Sequence, residues 1–240
     1  MGKIEDVIIQ INNELPAAAK LVAVSKFHPF ESIEQAYAAG QRVFAESRPQ
    51  ELLSKVKRLD EIRSERGEPD YMSDIQWHFI GHLQTNKLKM VLPHVSLVQS
   101  VDSVRLLDAI QTWAEANGKI INVLLEPHVA AEETKQGFMA DEIYDILQRS
   151  ENLDGNKPGE YTHIRFSGIM GMATFTDDMS VVRSDFAALR LIFDTCCARY
   201  PHLANEFKEL SIGMSDDYKI ALEYGSTMVR IGSMIFGERY

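Results

Sequence analysis

Cysteine is scarce: the 240 residues contain only Cys196 and Cys197, side by side. In a segment of helical pattern, adjacent side chains point about 100° apart, so the two are expected neither to bridge nor to share a metal, and packing is favoured over a redox switch. Free thiols suit a reducing cytosol. An export signal is missing as well, since MGKIEDVIIQINNELP sets acidic and amide residues among its apolar ones and lacks an uninterrupted apolar core. No stretch approaches the apolar length of a membrane-spanning helix. Basic excess is also absent: the net charge is −10, and no concentrated basic stripe offsets it. Nucleic acid and anionic membrane surfaces are therefore poor partners for this chain. Internal repeats and low-complexity tracts are lacking too.

The composition is that of an ordinary globular protein, 45% hydrophobic and 25% charged, with 14 Gly and 8 Pro. Its order is informative. Apolar runs of strand length begin at LVAVSK, RVFAES, WHFIGH, VSLVQS, INVLLEP, IRFSGIM, ELSIGM and MVRIGSM, and stretches with helical period separate them. Such alternation implies parallel strands joined by crossover helices, and eight repeats of it predict an α/β fold, a single (β/α)8 TIM-type barrel spanning residues 1–240. The helix due after the eighth strand is missing, and the amphipathic segment from Ile4 to Leu15 is expected to supply an extra N-terminal helix in its place. RLDEIRSERGEPDYMSD and ENLDGNKPGEY are expected to be solvated loops or frayed helix ends.

Barrels of this type carry their chemistry at the C-terminal ends of the strands. Those ends are polar here, offering Lys26, Glu46, Ser47, His82, Ser100, the loop from Thr134 to Gly137, Met170, Ser215, Arg230, Gly232 and Ser233. Lys26 follows four small or apolar residues. Desolvation and a cationic neighbour at that strand mouth would lower its pKa and free the amine to attack an aldehyde, although a lysine snorkelling to water is the commoner reading. GMSDD and RIGSM put Gly and Ser directly after the last two strands, where barrels of this type often bind phosphate through backbone amides. Ser215 also suits the N-cap of the following helix.

Two other patterns carry less. The histidines of WHFIGH lie roughly 13 Å apart if the segment is extended, too far to share one metal ion, and no metal is expected. GIMGMA lacks the full dinucleotide-binding fingerprint, so its glycines are read as relieving crowding at a strand end.

Taken in order, LVAVSK, WHFIGHLQTNK, QSVDS, ETKQGF and LSIGMSDDYKIALEYGSTMVRIGSMIFG resemble the pyridoxal phosphate homeostasis protein family from about Leu21 to Gly237. The resemblance implies the fold-type III barrel shared with the N-terminal domain of alanine racemases, with pyridoxal 5′-phosphate (PLP) as cofactor and Lys26 as the residue that forms the internal aldimine. It further implies that Arg230 faces the pyridine nitrogen and that Met214, Ser215, Gly232 and Ser233 belong to the cofactor site. One departure stands out. The family's FGEN reads FAES here, so Ala45 adds a methyl and Ser47, kept as a site residue, is shorter than Asn.

The resemblance leaves two functions to weigh. A carrier that buffers or hands over a reactive aldehyde, with PLP-dependent apoenzymes as candidate recipients, is the first. A racemase or other fold-type III enzyme is the second. Inversion at Cα needs proton-transfer groups on both faces of the substrate. The tyrosine that serves the second face in alanine racemases belongs to an additional domain that this chain is not expected to contain, which favours the carrier. An accessible mouth, a further anion contact at Lys135, a monomeric state and a cytoplasmic location complete the expectations.

Overall fold

The eight apolar segments form β1 (Lys20–Val24), β2 (Val43–Glu46), β3 (Gln76–Phe79), β4 (Leu97–Val101), β5 (Ile121–Leu125), β6 (Ile164–Met170), β7 (Glu209–Ser211) and β8 (Met228–Ile231). In this computed structural model, which describes residues 3–129, 137–150 and 159–237, they close in sequence order into a parallel barrel. Closure runs from Lys20↔Met228 to Ala23↔Ile231, joining β8 to β1. The expected eight-stranded α/β barrel is the observed fold. Most strands end a few residues before their apolar runs do, which leaves Lys26, Met214 and Gly232 in the loops at the mouth.

Helices follow the strands in turn: α2 (Phe30–Ala38), α3 (Pro49–Arg66), α4 (Leu88–Val91), α5 (Val104–Ala116), α6 (Ala140–Ser150), α7 (Met179–Arg199), α8 (Tyr218–Glu223) and the single turn α9 (Ser233–Phe236). The segment ahead of β1 is α1 (Lys3–Glu14), which buries Ile8 and Ile11 and packs on α2, α9 and β1. It covers the seam where the barrel closes, beside the one-turn helix that follows β8. None of the described helices is long and apolar enough to cross a membrane.

The charged run after Lys57 departs from expectation in its first half, where α3 continues to Arg66 and stops at Gly67 with φ +66°, while residues 67–74 form the expected, mostly exposed turns. Leu59 and Ile62, three residues apart on one face, are buried among the charges, while Arg58–Glu61 and Arg63–Asp60 pair along the solvent face. The second such run lies mostly outside the described residues, at 151–158.

Strand alternation sorts the core into two layers. Val22, Val24, Ala45, Leu97, Leu124, Met170 and Met228 fill the barrel lumen. Their neighbours Leu21, Ala23, Phe44, Trp77, Val98, Val229 and Ile231 pack outward with the helices. Gly168 (φ +148°) lets β6 meet β7, because a Cβ there would lie 1.8 Å from the Glu209 carbonyl oxygen, in keeping with a glycine that relieves crowding.

Glu14 fastens α1 to α8. Its carboxylate accepts from the Tyr218 hydroxyl at 2.6 Å and pairs with Lys219 at 3.0 Å, and these contacts with Gln10 hold its pKa down to about 2. A carboxyl lowered by folding stabilises the native state above its ordinary value of 4.5 and loses that contribution as pH falls toward about 2. Glu14→Gln is expected to flatten the acid limb of the melting profile, read as Tm from about pH 5 to about pH 2.

Candidate functional site

The period of two that fills the lumen also aims the functional side chains. Lys26 continues the inward series Val22, Val24, and Arg230 continues that of Met228. Both line a cavity of about 290 Å³ at the C-terminal mouth, and Met214, Ser215, Gly232 and Ser233 line it too. Six of the seven candidate residues thus surround one space, with Met170, Met172, Phe175 and Ile80 as apolar wall. Ser47 is not among the lining residues. Its carbonyl oxygen lies against the β3 loop, where a Cβ on Gly81 would come within 2.0 Å of it. Lys135 falls outside the described residues.

One end of the cavity is rich in donors. Ser233 Oγ donates to Ser215 Oγ at 3.0 Å, joining the turns after β7 and β8. Ser215 is not the helix cap its sequence suggested: Asp217 occupies the N-cap of α8, and its side chain accepts from the Met214 amide. Gly213 (φ +94°) permits this turn, since a Cβ there would press to 2.6 Å on Ala221 Cβ. Gly232 allows the next approach, because its Cβ would lie 3.0 Å from the Val24 carbonyl oxygen. The amides of Ser233 and Met234 open α9 and have no carbonyl one turn back to bind. Two hydroxyls and first-turn amides form a donor set that suits a phosphate group, and a half-buried amine shares the cavity with them. The residues present therefore fit a small phosphorylated aldehyde.

Arg230 is buried, only 4% exposed. Its Nη1 donates to the Ser211 carbonyl at 2.6 Å and to Ser211 Oγ at 2.8 Å, and Nη2 donates to the Gly171 carbonyl at 2.8 Å. Burial lowers its pKa to about 10, which leaves it cationic at neutral pH.

Sequence reasoning missed the support beneath Lys26. Lys55 of α3 donates to the Ser25 carbonyl at 2.8 Å, to Glu46 Oε1 at 2.7 Å and to Glu51 Oε1 at 2.8 Å. Glu51 in turn accepts from the Phe27 amide, and Ser25 Oγ donates to Glu46 Oε1 at 2.6 Å. The groups on either side of Lys26 are thus gripped from α3, at a point where Phe27 adopts φ +69°. Glu46 is fully buried, its Oε2 has no hydrogen-bond partner among the described residues, and desolvation raises its pKa. The i,i+4 spacing of Glu51 and Lys55 was a visible signal, although it usually marks a solvated pair.

The two histidines of WHFIGH separate. His78 points into the lumen, and burial drives its pKa down to about 3. His82 pairs with Asp102 at 3.0 Å in a neighbouring pocket that shares no lining residue with the Lys26 cavity. Cys196 is buried and Cys197 exposed, both as free thiols.

Comparison with known proteins follows the same lines. The family described as "Alanine racemase, N-terminal domain" matches residues 2–240. A pyridoxal phosphate homeostasis protein of Pasteurella multocida is 34% identical over 93% of this chain and 88% of its own. The structure of PipY from Synechococcus elongatus, solved with PLP bound, superposes with a TM-score of 0.82 at 29% identity, covering 98% of this chain and all of that one. An alanine racemase of Clostridium difficile shares the fold, with a TM-score of 0.73 at 12% identity, and this chain spans 56% of its length. On these grounds the chain belongs to the pyridoxal phosphate homeostasis protein family, within the wider group of alanine racemase N-terminal domain barrels.

Proposed function

We propose that the cavity at the barrel mouth binds PLP, with the cofactor aldehyde joined to Lys26, and that the protein serves intracellular vitamin B6 homeostasis as a carrier. The observation that carries this reading is that Lys26 shares one cavity with the hydroxyls of Ser215 and Ser233 and with the turn that begins α9. When bound, PLP supplies a reactive aldehyde conjugated to an electron-withdrawing ring.

The residues then divide the work. Ser215, Ser233 and the first-turn amides bind the phosphate, and Gly232 keeps β8 close enough to β1 for the amine and the hydroxyls to face one space. Arg230, cationic at neutral pH and hydrogen-bonded to main-chain oxygens, stands toward the ring nitrogen without a proton to give up, which suits holding the aldehyde over carbanion chemistry. Met170 is buried and forms the dry floor of the apolar wall, while Met214 and Phe175 line its solvent side. The barrel acts as one cofactor-binding domain, a cytoplasmic monomer, and its recipients are PLP-dependent apoenzymes. The pyridoxal phosphate homeostasis proteins among its relatives and the PLP-bound PipY support this reading.

Reductive trapping tests it. Purified protein mixed with PLP and reduced with borohydride is expected to carry one phosphopyridoxyl group, mapped by mass spectrometry to the peptide containing Lys26. Labelling spread over surface lysines, or centred on another one, contradicts the assignment.

A further inference from the structure

A string of polar side chains crosses the barrel interior from the cofactor cavity to the opposite end. Arg230 Nη1 donates to Ser211 Oγ at 2.8 Å, Ser211 Oγ donates to Gln99 Oε1 at 2.7 Å, and Gln99 Nε2 lies 2.8 Å from His78 Nδ1. All four side chains are buried. They come from β8, β7, β4 and β3, so the bond between Ser211 and Gln99 spans the lumen between strands that are not neighbours. His78 also lines the pit at the N-terminal ends of the strands, together with Gln76 and Ser96.

Lumens of this type are ordinarily filled by apolar layers, as Val22, Leu97, Leu124 and Met228 do here. A polar string in such a place is costly unless every member is satisfied. Here the order of bonds is forced. A guanidinium can only donate, so Ser211 Oγ accepts from it and must pass its own proton onward. That turns the Gln99 carbonyl toward Ser211 and its amide N–H toward His78, which must accept through an unprotonated Nδ1. Burial keeps His78 neutral, with its pKa near 3, so the acceptor is present throughout the neutral range. Every bond then points the same way, and head-to-tail chains of this kind strengthen one another.

We propose that Ser211, Gln99 and His78 are positioning residues for Arg230, fixing the rotation of its guanidinium and thereby the face it turns to the ring nitrogen of bound PLP. None of the three needs to touch the cofactor. Ser211 is the pivot, since its carbonyl and hydroxyl both hold Nη1. The proposal rests on the PLP reading above and goes beyond it by naming what sets the arginine.

A double-mutant cycle on the PLP-loaded protein decides it. Gln99→Met keeps the volume and removes both hydrogen bonds. It is expected to leave PLP trapped on Lys26, to shift the visible absorption maximum of the bound cofactor and to speed PLP release about tenfold. In an Arg230→Met background the same substitution is expected to change neither readout, because the residue it acts through is gone. Ser211→Ala, a loss of one oxygen, is expected to give the same pattern and replaces Gln99→Met should that variant be insoluble. An unchanged spectrum and release rate, or equal changes in both backgrounds, overturns the proposal. Failure of the parent protein to be trapped on Lys26 instead defeats the PLP reading itself, so the two failures are told apart.

Discussion

Lys26→Ala is expected to abolish borohydride-stable attachment of PLP and to weaken its retention by about 100-fold or more, with the barrel still folded. The reasoning separates the linkage from the scaffold. Lys26 stands beyond the end of β1, half-buried at the mouth, so truncating its side chain leaves the strands and their core packing in place. Ser215, Ser233 and Arg230 remain in place to meet the phosphate and the ring, so residual binding should be reversible and sensitive to competing phosphate. Gel filtration followed by visible absorption separates the outcomes: the variant loses its colour on the column while the parent keeps it. Stoichiometric trapping in Lys26→Ala contradicts the role given to this amine.

The second large effect lies outside the cavity. Lys55→Met is expected to destabilise the protein by about 3–5 kcal/mol, because it strands Glu46 as a buried carboxylate without its cation. The Lys55 and Glu46 side chains are 6% and 0% exposed, so water cannot substitute for the lost partner. Adding Glu46→Gln removes the stranded charge and is expected to recover part of the loss. Urea unfolding of the two single variants and the double variant measures this, and additive losses contradict the coupling. The Ser25 carbonyl loses its donor as well, and Glu51, which holds the Phe27 amide, loses its cation, so slower attachment of PLP at Lys26 should accompany the lower stability.

Why the barrel was legible while its support was not follows from the kind of interaction each depends on. Eight apolar runs separated by helical periods declare parallel strands directly, since the buried face of each strand is written at every second residue. Lys26, Met214, Ser215, Arg230, Gly232 and Ser233 could be placed at the mouth because they close their runs, and the observed cavity gathers them. Ser47 closes its run in the same way, yet packing of Gly81 against its backbone leaves it off the cavity wall, which sequence order does not encode. Charge misled the reading of α3, where Leu59 and Ile62 are too few among acidic and basic neighbours to signal a buried face. Lys55 illustrates the same difficulty. An i,i+4 Glu–Lys pair reads as solvent-exposed until the strand end carrying Glu46 is known to lie beneath it.

The polar lumen was partly within reach. His78, Gln99, Ser211 and Arg230 sit at inward positions within the runs the sequence marks as strands, although three of those runs extend past the strand ends, so alternation places them on the buried face. What alternation cannot supply is the partner, because Gln99 and Ser211 meet across the barrel from strands separated by more than a hundred residues.

The central claim is that one small molecule engages the Lys26 amine and the hydroxyls of Ser215 and Ser233 together. Equilibrium titration with PLP and with pyridoxal, which bears the same aldehyde and lacks the phosphate, tests it most directly, in the parent protein and in a Ser215→Ala/Ser233→Ala variant. The account expects PLP to bind the parent about 100-fold more tightly than pyridoxal, and most of that advantage to vanish in the double variant. Equal affinity for the two aldehydes in the parent, or a phosphate advantage that survives loss of both hydroxyls, would contradict it.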